Sequence, residues 1–495
     1  MIHYPPGAVP YPPGAEERDS EPELAGSVAG PAAVSPLPIR DPLPAEHTTE
    51  LGHARRVVAI AGSRLRYVTP WRRWLVWDGA RWARDDTGAA DRVAKDVARA
   101  VTRRAAKDLA DAGGDDSTLK AALKAALRLE SASAVRGILA LAATEHGVAI
   151  SPARLDSYPH LLNVANGVLD LNTGELLDHD PELLLTKVTT AAYYEDATAP
   201  EFEKFLQRIQ PEEAMRLFLR RLLGHSLHGA QVEHVLPVGY GSGANGKSTL
   251  FAAAVAALGE YAGTTDPTLL VERGYDTHPT GVADLHGLRL AFTHETDERR
   301  PLAEGTVKRL TGGDRIKARR MREDFWEFTP SHTLFLLTNH RPTVRGTDDG
   351  IWRRLRLVPF DVSIPEEERD LDLPDKLADE RDGILTWLVA GHRDWHQDGL
   401  AEPERVREAT ATYRHDEDAL ARFLGERTHQ APTSTISVQS SLLFREWSSW
   451  CAGEGVEPGT QTAFSRDLTD RGYTNRKSHG NTVWNGLGLR TRDDS

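Results

Sequence analysis

The stretch that most constrains this chain is GYGSGANGKSTL, residues 239–250, which follows the apolar run HVLPV directly. Residues 241–248 fit the pattern G-x-x-x-x-G-K-[ST] completely. The glycines allow the backbone to curl so that several N–H groups point into one hollow. The next segment, STLFAAAVAALG, is typical of a helix, whose positive dipole end would face the same hollow. The spacing therefore predicts a strand, a phosphate-binding loop and a helix in succession.

The position of a residue in this loop predicts its role in binding phosphate or metal. We expect Lys247 to reach the β- and γ-phosphates of a nucleoside triphosphate such as ATP, and Ser248 to hold Mg²⁺. A chance glycine loop fits less well, because the complete match lies between an apolar run and a strongly helical segment. The candidate nucleotide-binding residues are Gly241, Ser242, Gly243, Ala244, Asn245, Gly246, Lys247, Ser248 and Thr249.

Two later apolar segments end in polar residues that could complete such a site. LRLAFTHETDE reads as a strand that ends in Glu295, Asp297 and Glu298. Carboxylates there are suited to bind Mg²⁺ and activate water, although the segment alone would equally fit a solvated acidic turn. Glu295 is the leading metal-binding and catalytic candidate because it lies nearest the strand end. HTLFLLTNHRP predicts another buried strand, ending at Asn339, whose amide could orient water or sense the γ-phosphate.

A basic run, TGGDRIKARRMRED, lies between these two strands. Of the eight residues 315–322, five are basic: Arg315, Lys317, Arg319, Arg320 and Arg322. Such a run is commonly a solvated face. This one stands out in a chain of net charge −13 and follows a Gly-Gly turn. We therefore expect a loop or hairpin that carries these side chains toward a nucleic-acid backbone.

Two adjacent arginines, Arg353 and Arg354, precede a further predicted strand in GTDDGIWRRLRLVPF. An arginine placed across a subunit boundary can neutralise charge that develops on a γ-phosphate, an effect worth ~10³ to 10⁵ in rate. The alternative is an ordinary surface ion pair. Both arginines are therefore catalytic candidates.

The pattern along the chain divides it into five regions. Residues 1–50 contain eleven prolines and are expected to be a disordered tail. Residues 51–200 are expected to be a mostly helical domain, and 201–365 the α/β domain that carries the motifs. A helical connector, 366–428, follows. Residues 429–495 read helix, helix, strand and strand, an order that suggests a winged-helix module with Arg476 and Lys477 on DNA.

Local patterns add two structural expectations. A hairpin is predicted around Asp78-Gly79, because this dipeptide favours a tight turn between alternating apolar and polar residues. Its tryptophans could form a base-stacking platform, but a core role is the better interpretation; they are Trp71, Trp74, Trp77 and Trp82. Gly224 is expected to end the helix that begins near Met215.

Composition limits the class of protein. The single cysteine, Cys451, excludes a disulfide framework and any cysteine-rich zinc site. No apolar run approaches the ~18 residues of a membrane span, and no signal-peptide pattern opens the sequence. We therefore expect no membrane partner and a cytoplasmic location. The negative net charge does not exclude nucleic acid, because a DNA channel needs only locally basic walls.

Taken together, the motifs resemble a known family. GSGANGKST, HETDE, VKRLTGGDRIKARR, LFLLTNH and RGTDDGIWRRLRLVPF occur in the order and spacing of superfamily 3 helicases. Specifically, the chain resembles the phage/plasmid primase-helicase family, which is related to the poxvirus primase-helicase. The resemblance covers about residues 51–365, with a weaker match in the tail. It implies an AAA+-like P-loop ATPase core between a mostly helical domain and a winged helix, assembled as a homo-oligomeric ring, commonly a hexamer, around single-stranded DNA.

The resemblance also implies residue roles. Lys247 and Ser248 match the Walker A positions, Glu295 the Walker B acid and Asn339 the first sensor. His294 stands where relatives often have an acid, so the division of work among Glu295, Asp297 and Glu298 stays open. Lys317 and its basic neighbours match the DNA-tracking hairpin. Arg353 best matches the arginine finger, with Arg354 second.

The leading functional hypothesis is an ATP- and Mg²⁺-dependent DNA helicase in phage, prophage or plasmid replication. Single-stranded and forked DNA would be its partners, with other replication proteins possible. We expect no primer synthesis, because only about 50 disordered-looking residues precede the helical region and the cysteines of a primase zinc module are lacking. One alternative is a DNA-binding loader or initiator that ATP switches without unwinding. A small-molecule kinase that ignores DNA is another.

Overall fold

The structure, a computed structural model, describes residues 47–272, 280–294, 301–320, 325–345, 349–431, 436–478 and 480–490. Several sequence-based predictions lie outside these residues. They are the acidic strand end (Glu295, Asp297 and Glu298), Arg322 of the basic run, and the proline-rich tail up to residue 46.

The first part of the described chain combines helices with two small sheets. Its elements are α1 (Glu50–Ala61), β1 (Leu65–Val68), β2 (Arg73–Trp77), β3 (Trp82–Arg84), α2 (Ala89–Asp111), α3 (Ser117–Arg128), α4 (Ala132–Ala142), β4 (Ala149–Ile150), β5 (Leu161–Val164), β6 (Gly167–Asp170) and β7 (Leu176–Leu177). The first sheet has the order β3-β2-β1-β4, and the second has the order β5-β6-β7.

The predicted hairpin at Asp78-Gly79 is confirmed. Strands β2 and β3 are antiparallel, with Trp77 opposite Trp82. The Asp78 carboxylate closes the turn by accepting from the backbone N–H groups of Ala80 and Arg81, both at 2.9 Å. Trp82 is fully buried, whereas the other three tryptophans are half-buried, so the core interpretation holds fully only for Trp82.

The middle of the chain contains the α/β unit. Its elements are α5 (Pro200–Ile209), α6 (Glu213–His225), β8 (Leu236–Tyr240), α7 (Lys247–Leu258), β9 (Ala262–Thr264), α8 (Thr280–Ala283), β10 (Leu290–His294), α9 (Glu304–Leu310), β11 (Ile316–Ala318), β12 (Trp326–Phe328), β13 (Thr333–Thr338), α10 (Asp349–Trp352) and β14 (Leu355–Pro359).

Of the described strands, five form a sheet in the order β14-β8-β13-β10-β9, and every neighbouring pair is parallel. A parallel sheet is normally covered on both faces, and this one is. One apolar cluster joins Phe335 and Leu337 to helices α5, α6 and α7. A second cluster joins Leu334 and Leu336 to α9 and to strand β11. The alternation of buried residues along β13 therefore places the sheet in the middle of three layers.

The last part of the chain is helical and ends in small antiparallel sheets. Its elements are α11 (Leu373–Asp379), α12 (Arg381–Asp398), α13 (Glu404–Glu417), α14 (Ala419–Arg427), β15 (Thr428–Gln430), β16 (Ser437–Gln439), α15 (Ser440–Glu454), α16 (Gln461–Asp470), β17 (Asn475–Ser478), β18 (Asn481–Asn485) and β19 (Leu487–Leu489).

The tail largely follows its predicted order, with two differences. Residues 437–439 form a strand that pairs with β18, so a strand precedes the first helix of the tail, which begins at Ser440. The second of the two expected strands is divided into β18 and β19, because Gly486 adopts a φ of +73° between them. Helices α14, α15 and α16 share one apolar cluster with these strands.

The helix predicted to end at Gly224 ends one residue later, because α6 includes Gly224 and continues to His225. A Cβ atom at position 224 would overlap the backbone of Gly391 and His392 in α12, and one at Gly391 would overlap the carbonyl of Arg220. The two glycines thus allow α6 and α12 to cross at close range, a tertiary cause that helical spacing does not reveal.

Within the residues that the structure describes, no helix combines the length and the apolar character needed to cross a membrane.

Candidate functional site

Strand order brings the candidate residues to one edge of the parallel sheet. Strand β8 lies beside β13, which lies beside β10, and all three run in the same direction. Their carboxyl ends therefore meet at one edge, where open α/β sheets usually bind ligands. At this edge lies a cleft of about 260 Å³ lined by Gly243, Ala244, Asn245, Gly246, Lys247, Ser248, Thr249, His294, Leu337, Thr338 and Asn339.

The glycine-rich loop has the predicted place between β8 and α7, and its glycines differ in what they allow. Gly246 adopts a φ of +80°, and a Cβ atom there would overlap the Ile209 side chain. At Gly241, a Cβ atom would overlap the carbonyl of Phe360. Gly243 has nothing within 4 Å of where its Cβ atom would lie. Close packing therefore requires glycine at the two positions that the sequence pattern fixes, and leaves the third open.

Lys247 is buried at the start of α7, and its ammonium is held by the loop itself. Its Nζ donates to the Gly241 carbonyl at 2.6 Å and to the Asn245 Oδ1 at 3.1 Å. Burial lowers the pKa of Lys247 to about 8. Among the described residues no carboxylate is paired with this amine, and an anion that enters the cleft would favour the charged form of Lys247.

Asn245 holds the loop closed, which the sequence pattern did not foresee. Its side-chain N–H groups donate to the carbonyl of Ser242 at 2.6 Å and to that of Phe360 at 3.2 Å. The same side chain accepts from Lys247. Asn245 thus connects the loop to the end of β14 and orients the lysine.

Asn339 and His294 lie in the same cleft. Asn339 follows β13 and is exposed there, so the expected meeting of Asn339 and Lys247 at one edge is present. His294 was treated only as a departure from the family pattern, yet it lines the cleft. Burial and then the neighbouring Lys247 ammonium lower the pKa of His294, so the ring is neutral at pH 7. Its place at the end of an apolar strand was the available signal.

The two arginines lie at the opposite edge of the sheet. They come just before β14, whose first residue pairs with the first residue of β8, whereas the glycine-rich loop follows the last residue of β8. Arg354 is half-buried and donates to the Thr311 hydroxyl at 3.1 Å and to the Gly350 carbonyl at 2.6 Å. Arg353 is exposed, and its guanidinium has no hydrogen bond or ion pair with the described residues.

The basic run forms the expected hairpin. Strands β11 and β12 are antiparallel, with Lys317 opposite Glu327. Ile316 and Ala318 point into the apolar cluster, so the alternation of a strand turns Lys317 outward. The exposed ring of Phe325 lies beneath two of the cations, 4.8 Å from the Lys317 Nζ and 4.9 Å from the Arg319 guanidinium carbon.

The other basic candidates are also at the surface. Arg315 is exposed, with its Nε 3.8 Å from Glu327. Arg320 is exposed after the end of β11. In the tail, Arg476 and Lys477 are both exposed on β17, and Arg476 donates to the Asn485 side chain at 3.0 Å. Arg315 and Arg320 belong to the hairpin region, whereas Arg476 and Lys477 belong to a separate surface.

Comparison with known families matches two parts of the chain. Residues 54–211 match the family described as D5 N terminal like. Residues 239–354, which include the glycine-rich loop, Asn339 and both arginines, match a family of unknown function, DUF5906.

Similar proteins come from large DNA viruses. A "putative helicase" of Acanthamoeba polyphaga mimivirus is 30% identical over 319 residues, which is 60% of this chain and 33% of that protein. A "putative helicase" of Frog virus 3 is 26% identical over 50% of this chain and 27% of its own length. A "putative primase" of African swine fever virus is 24% identical over 60% of this chain and 34% of its own length. The chain therefore spans about a third of the length of the curated relatives it matches.

Among solved structures, the NrS-1 C-terminal region is similar to this chain at 10% identity and a TM-score of 0.46, covering 90% of this chain and all of that one. A second form of the same region gives 11% identity and a TM-score of 0.44. These TM-scores are too low to assign a fold or an activity. The two family matches and the viral relatives together show that the chain is similar to proteins of the D5-like primase-helicase family.

Proposed function

We propose that this chain is an ATP-dependent DNA helicase that acts as a ring on single-stranded DNA in viral, prophage or plasmid replication. The observation that carries the proposal is the arrangement of one sheet. Lys247 and Asn339 lie at its carboxyl edge, and an exposed Arg353 lies at its amino edge. A site that uses all three must be built from two copies of the chain. In this proposal the loop is a P-loop and the α/β unit an AAA+-like ATPase core of superfamily 3.

The cleft suits a nucleoside triphosphate. Its volume of about 260 Å³ lies below the ~300 to 1,000 Å³ that usually surrounds a whole small ligand, so it fits the phosphates and leaves the base outside. The Lys247 ammonium would bind the γ-phosphate in place of the Gly241 carbonyl and Asn245. The exposed hydroxyl of Ser248 suits a metal ligand, with Glu295 proposed as the second. Bound Mg²⁺ would neutralise phosphate charge.

The remaining residues would position water and complete the charge balance. The Asn339 side chain, which is exposed and makes no hydrogen bond with the described residues, would orient the attacking water. Glu295 would accept its proton. Arg353 of the adjacent copy would stabilise charge on the γ-phosphate, and Arg354 would support the segment that carries it. Hydrolysis at this boundary would move the β11–β12 hairpin relative to its neighbours.

DNA would lie along the hairpin. Arg315 and Lys317 give exposed positive charge for backbone phosphates, the half-buried Arg319 adds a third cation, and Phe325 adds an exposed ring on which a base can stack. The tail, with two helices followed by an antiparallel β17–β18 pair, is proposed as a winged helix. In that arrangement α16 would enter a groove, with Arg476 and Lys477 on the wing against phosphates.

Strand displacement on a forked DNA substrate tests this function. The wild-type protein with ATP and Mg²⁺ is expected to separate the strands, and Lys247→Ala is expected to abolish separation. Lys204→Ala is a matched control, because Lys204 is exposed and paired with Glu201 at 2.6 Å, away from the cleft. ATP-dependent DNA binding without strand separation would instead favour a loader. ATP turnover that ignores single-stranded DNA would favour a small-molecule kinase.

A further inference from the structure

A second cleft, of about 400 Å³, lies between the tryptophan-rich hairpin and the basic hairpin. We call it the tryptophan cleft. The residues that matter here are Trp71, Lys187, His286, Arg320 and Trp326. They come from distant parts of the chain, and its volume lies in the range of small-ligand sites.

Two indole rings that line the cleft keep part of their surface exposed. The ring of His286 lies between them, with its centroid 6.0 Å from that of Trp71 and 4.8 Å from that of Trp326, edge to face in both cases. Both tryptophans are half-buried. Trp82 also lines the cleft, but it is fully buried and one face is covered by the Arg66 guanidinium at 4.4 Å. Trp71 and Trp326 are therefore the rings that can receive a planar ligand.

The carboxylates around the tryptophan cleft are already satisfied by the protein. Asp78 closes its turn, and Asp85 accepts from the N–H groups of Ala89 and Ala90 at the start of α2, at 2.7 and 2.9 Å. Asp86 pairs with Arg84, and Glu260 pairs with Arg81. Asp78 and Asp85 thus stabilise a turn and the start of a helix, and Asp86 and Glu260 pair with arginines. None of these four carboxylates pairs with Lys187.

Two cations at the cleft have no such partners. Neither the Lys187 ammonium nor the Arg320 guanidinium makes a hydrogen bond or ion pair with the described residues. They lie close enough that Arg320 contributes to lowering the pKa of Lys187, after burial and against the opposing charge of Asp156. Asp156 itself accepts from the backbone and hydroxyl of Thr186, at 2.8 and 2.5 Å. Two like charges facing one space make a binding position for an anion.

From this geometry we infer that the tryptophan cleft binds one nucleotide of a single-stranded nucleic acid, with its phosphate between Lys187 and Arg320 and its base against Trp71 or Trp326. A phosphate satisfies both cations, and a base covers the open surface of one of the two half-buried rings. A strand is favoured over a free nucleotide because Arg320 and Trp326 belong to the same hairpin region as Lys317. The inference rests on the proposed DNA path and extends it to the N-terminal part of the chain.

Photo-crosslinking of the full chain tests the inference directly. The probe is a 20-nucleotide thymidine oligonucleotide that carries 5-bromodeoxyuridine, and crosslinked peptides are mapped by mass spectrometry. Crosslinks at Trp71 or Trp326 are expected. Lys187→Gln should reduce them and lower the slope of log affinity against log salt by about 0.7, as loss of one phosphate contact does on a single strand. Unstimulated ATP hydrolysis by Lys187→Gln should equal that of the wild type.

Controls separate this inference from the proposed function. Lys204→Gln should change neither the crosslinks nor the salt slope. If the oligonucleotide binds and crosslinks only at Phe325 near Lys317, with Lys187→Gln unchanged, the tryptophan cleft is not on the DNA path although the helicase proposal stands. If the wild-type chain does not bind the oligonucleotide, both fall. Thymidine monophosphate that competes as well as the oligonucleotide would overturn the assignment to a strand.

Discussion

The cationic side chains at the two edges of the parallel sheet differ in burial and in hydrogen bonding. At the carboxyl edge, the Lys247 ammonium is buried and held by the Gly241 carbonyl and Asn245. At the amino edge, Arg353 is exposed and makes no hydrogen bond or ion pair within the described residues. A residue that serves its own subunit can be positioned by its own loop. A residue that acts in the site of a neighbouring subunit must be exposed at the surface, and a shared site requires this difference.

The largest effect is expected at the displayed arginine. Arg353→Ala should lower kcat for ATP hydrolysis by about 10³- to 10⁵-fold, because an arginine finger stabilises charge that develops only during reaction. Nucleotide affinity should change little, since Lys247 and the loop are intact. Steady-state ATPase assays together with equilibrium nucleotide binding check this. Arg407→Ala is the matched control, because Arg407 is exposed and, within the part of the chain that the structure describes, pairs only with Glu404. Normal turnover by Arg353→Ala would remove the residue from the site.

The next effect distinguishes the glycines of the loop. Gly246→Ala should lower the free energy of unfolding by about 2 kcal/mol or more, because φ is +80° and the new Cβ atom would overlap Ile209. Gly243→Ala should change it by less than about 0.5 kcal/mol, because its Cβ atom meets nothing within 4 Å. Urea unfolding of the two variants gives the comparison. Equal losses would mean that close packing does not shape this loop.

Replacing Arg354 should destabilise the protein more than replacing Arg353, whereas replacing Arg353 should have the larger effect on catalysis. Arg354→Ala should cost about 1 to 3 kcal/mol in the free energy of unfolding, since it removes the hydrogen bonds from Arg354 to the Thr311 hydroxyl and the Gly350 carbonyl. Arg353→Ala should cost less than about 0.5 kcal/mol, because its side chain is exposed. Thermal and urea unfolding measure both. If Arg353→Ala were the less stable variant, its low activity could not be assigned to chemistry.

The smallest expected effect is the uptake of a proton by Lys247 when a nucleotide binds. With a pKa of about 8, Lys247 is charged at pH 7 and increasingly neutral above pH 8, whereas a bound phosphate favours its charged form. Nucleotide binding should therefore take up about 0.1 proton at pH 7 and about 0.8 at pH 8.5, and affinity should fall as pH rises through 8. Calorimetry in buffers of different ionisation enthalpy measures this uptake. The same uptake at both pH values would mean that Lys247 does not titrate there.

The sequence predicted local features of this protein well. The turn at Asp78-Gly79, the loop before Lys247 and the alternation around Lys317 each depend on residues close in sequence, where turn chemistry and strand periodicity act. The sequence also placed Asn339 at the end of a strand, and the sheet order of the structure brings that strand end beside the loop, because parallel strands end at one edge.

Features that depend on distant contacts were not predictable in this way. Gly224 has the local pattern of a helix end, but its role comes from Gly391 in another helix. The difference between Arg353 and Arg354 depends on Thr311, which only tertiary structure brings near. The tryptophan cleft joins residues more than 200 positions apart, such as Trp71 and Trp326. Periodicity gives the face on which a residue lies, whereas the partner comes from packing.

The most direct test of the shared site is to mix two inactive variants. Lys247→Ala lacks the residue of the carboxyl edge, and Arg353→Ala lacks that of the amino edge. In a randomly mixed 1:1 ring, about a quarter of the boundaries would pair an intact Lys247 with an intact Arg353, so ATPase activity should recover toward about a quarter of the wild-type value. A mixture as inactive as either variant alone, under conditions where the subunits assemble together, would contradict a site shared between neighbouring copies.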